Sequence, residues 1–201
     1  MGRKLFSAIR EIDENGEIKS IARRMFVTNT FDSLLAALGV STGGYKGDAD
    51  PLGLALSIIG ASIAMGFFSA MLGVYLSERA ERLRELEHLR EQLLSEIPKE
   101  SIHYRAAKLI PVYVALWSGF GAIILPILVA IPFIIAHVGI IGIYTAYLVS
   151  TGIALIAMSF LGVYVASGSG DSILLSVARF TGAGVAAIIT IHILKIFLGI
   201  V

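Results

Sequence analysis

Between Leu109 and Gly170 the chain carries no charged residue; the titratable groups there are His137 and the tyrosines. A helix crosses the hydrocarbon core with about 20 apolar residues, since each adds about 1.5 Å against a thickness of about 30 Å. The run is therefore long enough for two spans, turning at Ala136 to Gly139. Pro51 to Ser77 is likewise free of charge and opens on a proline suited to the first helical turn. Ile173 to Val201 makes a further span, with Arg179 near one end and Lys195 near the other. Met25 to Tyr45 is the shortest candidate, containing Asp32 and ending in Gly43-Gly44. Hydrophobic residues make up 56% of the 201 residues and charged ones 15%, more apolar surface than a soluble domain can hide. The expected fold class is all-α: a polytopic membrane protein of five transmembrane helices.

The distribution of lysine and arginine tests that count, because basic residues collect on the cytoplasmic side of membrane proteins. Six precede the first span, seven lie between the second and third, and Arg179 follows the fourth, which leaves Lys46 and Lys195 for the other face. An odd number of spans fits this segregation, with the N-terminus in and the C-terminus out. Residues 1–24 then form a cytoplasmic N-terminal segment, and 25–201 a five-helix membrane domain with a cytoplasmic helical insertion at about 78–107. The charged opening segment lacks a short apolar core with a cleavage site, so a cleaved signal peptide is not expected. Asp48 and Asp50 fall in the outer loop before Pro51. Glu78 to Glu96 has neither glycine nor proline and continues the second helix into the cytoplasm until Pro98 stops it. Ser169, Asp171 and Ser172 are the candidate caps of the last helix.

Few residues can carry chemistry. Asp32 sits about a turn and a half inside a span, where a carboxylate costs a few kcal/mol unless paired, hydrated or protonated. It reads as a cation or proton site on a transport path, or as one half of a fixed ion pair with Arg179. Met65 and Met71 in the second span offer soft thioether sulfur, although methionine also serves as ordinary packing. Glu78, Glu81, Glu85 and His88 follow at spacings of three, four and three, which aligns them in one stripe. That stripe is either a set of oxygen and nitrogen ligands or a solvated, salt-bridged helix face, since Arg79, Arg82, Arg84 and Arg90 are interleaved with it. With no cysteine, thiolate sites are excluded. The chain contains no His-Glu-x-x-His, Gly-x-Ser-x-Gly or phosphate-binding loop, so an enzyme is not expected.

The segment Thr30-Phe31-Asp32-Ser33-Leu34 to Gly39, the segment Ser69 to Arg79, Gly121 to Pro126 with Pro132 beyond, and Arg179 with Gly182, Gly184 and Gly199 together resemble the vacuolar iron transporter family, with its yeast calcium/manganese-type and nodulin-like relatives. The likeness covers most of residues 28–200. It implies a homodimer of five-span protomers that exports ferrous iron or manganese from the cytosol in exchange for protons. It also implies that Asp32 lines the path and that Glu78, Glu81 and Glu85 open a cytoplasmic metal-binding unit. No resident cofactor is expected, only the transported Fe2+ or Mn2+. The partners expected are the metal ion, membrane lipid and a second copy, not nucleic acid. The chain would reside in the cell membrane of a prokaryote or the vacuolar membrane of a eukaryote. Two positions depart from the family: Ala70 stands at its methionine slot, with Met71 one residue on and so turned by about 100° on an α-helix, and Val74 stands at its glutamate slot. The sequence therefore also admits a related carrier of another cation or of protons, and a non-transporting membrane scaffold or sensor.

Overall fold

The computed structural model describes residues 16–46, 49–94 and 96–199, and every regular element among them is helical. Residues 1–15 of the N-terminal segment and Asp48 of the outer loop lie outside the described residues. Helix α1 is Glu17–Gly44; α2 (Pro51–Ile63), a π-helical segment (Ala64–Gly73) and α3 (Val74–Leu93) join end to end; α4 is Ile102–His137, α5 Ile143–Ser169 and α6 Ile173–Phe197.

Local chemistry accounts for most of the boundaries. Asp50 caps α2, its carboxylate accepting from the Leu52 and Gly53 N–H groups at 3.1 and 2.8 Å, with Pro51 in the first turn. Ser101 caps α4 by accepting from the Tyr104 N–H at 3.2 Å. Gly139 and Gly170, at φ of 84° and 75°, take the left-handed conformation that closes α4 and α5. Ser172 occupies the N-cap of α6 without a side-chain bond to it. Pro98 is not what ends α3: the helix stops at Leu93, and Leu94 turns left-handed at φ 50°. Such a turn in a leucine is strained, and this one is fully exposed.

Among the described residues four helices are long and apolar enough to cross a membrane: the continuous 43-residue rod Pro51–Leu93, α4, α5 and α6. Helix α1, at 28 residues, matches them in length. Its polar residues make it less apolar, and the fold turns four of them inward: Thr30, Ser33, Ser41 and Thr42 are buried with Leu34, Ala37 and Leu38 against the surrounding helices. A hydropathy average treats those side chains as lipid-facing, which they are not. The basic residues at the start of α1, along α3 and at the start of α4 gather at one end of the bundle, and Lys195 lies at the other.

Helix α4 is the hub, packing against α1, the rod and α5, while α6 leans on α5 and α1. The helix runs unbroken through Pro111, Pro126 and Pro132. Pro132 deprives the Leu128 carbonyl of its donor, and one residue along Ser150 of α5 donates its hydroxyl to the Val129 carbonyl at 2.6 Å. Asn29 of α1 donates to Ser118 of α4 at 2.7 Å, and Ser159 of α5 pairs with Thr181 of α6 at 2.9 Å. Such bonds hold helices together in lipid, where burying apolar surface between them gains nothing. Two glycine contacts set the spacing. A Cβ on Gly119 would meet Met71 Cβ at 2.9 Å and the Gly66 carbonyl at 3.1 Å; one on Gly162 would meet Val177 Cα at 2.7 Å and the Ser176 carbonyl at 2.9 Å.

Because the atoms facing Gly162 are backbone, Gly162→Ala should separate α5 from α6 and cost about 1 to 3 kcal/mol. Gly152→Ala, with nothing within 4 Å of its added carbon, should be neutral or slightly stabilising. Thermal unfolding of the two variants in detergent checks the contrast.

Candidate functional site

Asp32 lies near the middle of α1, and its helix neighbours decide which way it faces. Ser33 and Leu34 point into the bundle, so Asp32 points out, and it is exposed. Thr28 and Arg24, one and two turns earlier on that side, are exposed as well, and Gly39 beyond Asp32 has open space where a side chain would be. Arg179 is at the same level on α6, since Phe31 and Phe180 meet edge to face at 5.0 Å. It too is exposed, and no ion pair joins it to Asp32 or to any other described residue. The fixed pair that would have neutralised Asp32 is not formed.

Met65 and Met71 both fall in the π-helical segment and are half-buried. This changes the geometry expected of them. A π-helix bonds residue i to i+5 and opens each turn, so the rotation of 100° per residue between Ala70 and Met71 does not apply. Ala70 is buried, and Met71 lies against Gly119 of α4. Val74 begins α3 and packs on the small cluster of Ile18, Ala22, Ile110, Tyr113 and Val114. Nothing in the sequence marks the π register.

The stripe on α3 is divided by its arginines. Arg82 stands between Glu85, at 2.6 Å, and Glu78, at 3.8 Å. Glu81 faces Arg84 at 3.7 Å, and His88 faces Glu91 at 3.9 Å. Among the described residues no three acidic or histidine side chains of one chain converge as a metal-ligand group. Glu81, Glu85 and His88 are solvated, whereas the side chains of Glu78 and Arg82 are only 13% and 15% exposed. The 3.8 Å separation is too long for a hydrogen bond, so Glu78 Oε2 and Arg82 Nε are buried without one. Burial lifts the Glu78 carboxyl above its ordinary value of 4.5; Arg82 and then Arg24 oppose the lift, and Glu85 and Glu81 add to it. The influence of Arg24 ties this cluster to the basic end of α1, two turns from Asp32.

One structural role escapes sequence reading. Lys195 donates to the carbonyls of Tyr45, at 2.6 Å, and Thr42, at 3.3 Å, and so caps the C-terminal end of α1 from α6. Tyr45 in turn stacks on Tyr147 with ring centroids 4.5 Å apart. A basic residue 150 positions away from the helix end it satisfies leaves no local signal.

An uncharacterized protein of Methanocaldococcus jannaschii, MJ0645, is 31% identical to the chain over 198 residues, 97% of each sequence. No family model matches the sequence, and no solved structure matches it.

The raised Glu78 carboxyl sets the sign of a pH effect. A carboxyl held above its unfolded value stabilises the fold while protonated, so that stability is complete below 4.5 and is lost as pH rises through the raised value. Glu78→Gln mimics the protonated form. It should melt higher than the parent at neutral pH and converge with it as the medium is acidified towards 4.5.

Proposed function

The chain belongs to the family of that Methanocaldococcus jannaschii protein, and we propose that it is a dimeric carrier that moves a divalent metal ion, ferrous iron or manganese, out of the cytosol in exchange for protons. The observation that carries the reading is the carboxylate of Asp32, at mid-helix on the outward face of α1 with no cation paired to it. Left against lipid, such a group is costly. Covered by the same face of a second copy it becomes two facing carboxylates in a water-filled cleft, which attract a divalent cation and bind protons when the cation leaves.

In this reading α1 is the fifth span. The basic end of the bundle is cytoplasmic, because lysine and arginine collect there, and the C-terminus is outside. The resemblance of residues 28–200 to the vacuolar iron transporters supports the same assignment of Asp32. Glu78, Glu81 and Glu85 stand at the cytoplasmic mouth, where they raise the local cation concentration. Glu78, whose carboxyl already titrates above its ordinary value, exchanges protons there. Met65 and Met71 belong to the path's wall.

A second reading is favoured by one observation: the buried Ala70 and the packed Val74 offer no oxygen or sulfur where the related family has ligands. The same cleft would then pass another cation or protons without selecting iron. Purified protein in proteoliposomes separates the two. The metal-carrier reading expects Mn2+ uptake coupled to a pH change, lowered about tenfold or more by Asp32→Asn, a loss of roughly 1.4 kcal/mol of ion binding. Proton flux that needs no metal would favour the second reading. Uptake by Asp32→Asn at the parent rate would remove Asp32 from the path.

A further inference from the structure

A second site lies on the other side of α3. Tyr75, Arg79, Leu83 and Leu86 from the rod and Tyr104, Ala107, Lys108 and Pro111 from α4 enclose a cleft of about 290 Å³. Two of its lining residues are cations, two are phenols that can donate a hydrogen bond, and none is acidic. The cations are the informative part. On the same helix Arg82, Arg84 and Arg90 each face at least one glutamate within 4 Å. Arg79 faces none; neither it nor Lys108 has an acidic partner among the described residues. A chain rich in glutamate around Arg79 has thus kept two unneutralised positive charges together in one cleft.

Their level in the molecule identifies what they meet. Arg79 comes two residues after the uncharged run that ends at Ser77, and Lys108 immediately precedes the run that begins at Leu109. Both therefore sit at the boundary between the apolar and polar zones, at the depth of lipid phosphates. Basic pockets between helices at this boundary hold anionic headgroups. The cleft is of headgroup size, with Leu83, Leu86, Ala107 and Pro111 offering an apolar wall beside the charges.

We propose that this cleft is a phosphate site, formed by Arg79 and Lys108 with the Tyr75 and Tyr104 hydroxyls, and that it is occupied by the headgroup of an anionic phospholipid. Bound there, the lipid bridges α3 to α4 at the root of the cytoplasmic helix. The site stands apart from Asp32 and holds whether or not the chain carries metal.

The test is native mass spectrometry of the full chain in detergent, titrated with phosphatidylglycerol, phosphatidylcholine, glycerol 3-phosphate or inorganic phosphate. Phosphatidylglycerol should be retained in preference to phosphatidylcholine. Arg79→Gln combined with Lys108→Gln should weaken it roughly thirty-fold, at about 1 kcal/mol per basic residue and 1.4 kcal/mol per decade. Because neither side chain has an acidic partner to lose, the double variant should melt like the parent. The swap Arg79→Lys with Lys108→Arg, which keeps both charges, should bind like the parent. Arg84→Gln with Lys99→Gln, equal in charge but outside the lining of the cleft, should leave binding unchanged. Displacement of the lipid by inorganic phosphate or glycerol 3-phosphate would uphold the phosphate site and make the soluble anion its occupant. Equal retention of phosphatidylcholine, or equal weakening by the Arg84 and Lys99 pair, would overturn the proposal.

Discussion

A bilayer interior cannot solvate a charge, and if α1 is a span, as proposed, Asp32 puts a carboxylate on its exposed face. Much of the rest of α1 follows the usual economy of membrane helices: four of its hydroxyls turn inward, its close contacts fall on glycines of its neighbours, and its C-terminal carbonyls are met by Lys195. Asp32 is an acid on its exposed face. Arg179 is at the same level but unpaired to it, and the proposed carrier answers that charge with water, a cation and the same face of a second copy.

The bundle supplies a rigid backing for such a surface. Helix α4 carries three prolines without interruption, and hydrogen bonds from α1 and α5 hold it in place. The glycines at 119 and 162 bring backbones into direct contact, so the rod and α6 are positioned by packing that tolerates little adjustment. The ten-residue π-helical segment is the exception within this frame. A π register is rare and is frequent at functional sites. Here it holds Met65, Met71 and the buried Ala70, and runs directly into α3 with its ionic cluster.

The four strongly apolar helices were legible because lipid imposes a length and a composition on each, and because Pro51, Gly139 and Gly170 mark ends through their own backbone preferences. The first helix is present, but its polar residues keep its hydropathy below that of the other four, and the segregation of lysine and arginine, which favours an odd count, is what makes it a span in the proposed reading. What could not be read were contacts made at long sequence distance. Lys195 looks like an interfacial residue until α1 is seen to end beneath it. The four-member stripe on α3 reads equally as a ligand set or as a salt-bridged face, and only the rotamers of Arg82 and Arg84 show its glutamates engaged along their own helix. Pro98 was a reasonable stop for α3, yet the chain turns earlier, at Leu94, for which no residue preference gives warning.

The central claim is that the outward face of α1 borders water within protein and not lipid. Since the chain has no cysteine, single cysteines at Thr28 and Ala36 can each carry a spin label without background, and collision rates with dissolved oxygen and with a water-soluble chromium complex report the surroundings in liposomes. The account requires the chromium complex to dominate at both positions and oxygen to dominate at Ile189 on α6, whose side chain is exposed where no path is assigned. Oxygen-dominated collisions at Thr28 and Ala36 would mean that Asp32 faces acyl chains, and the account would fail.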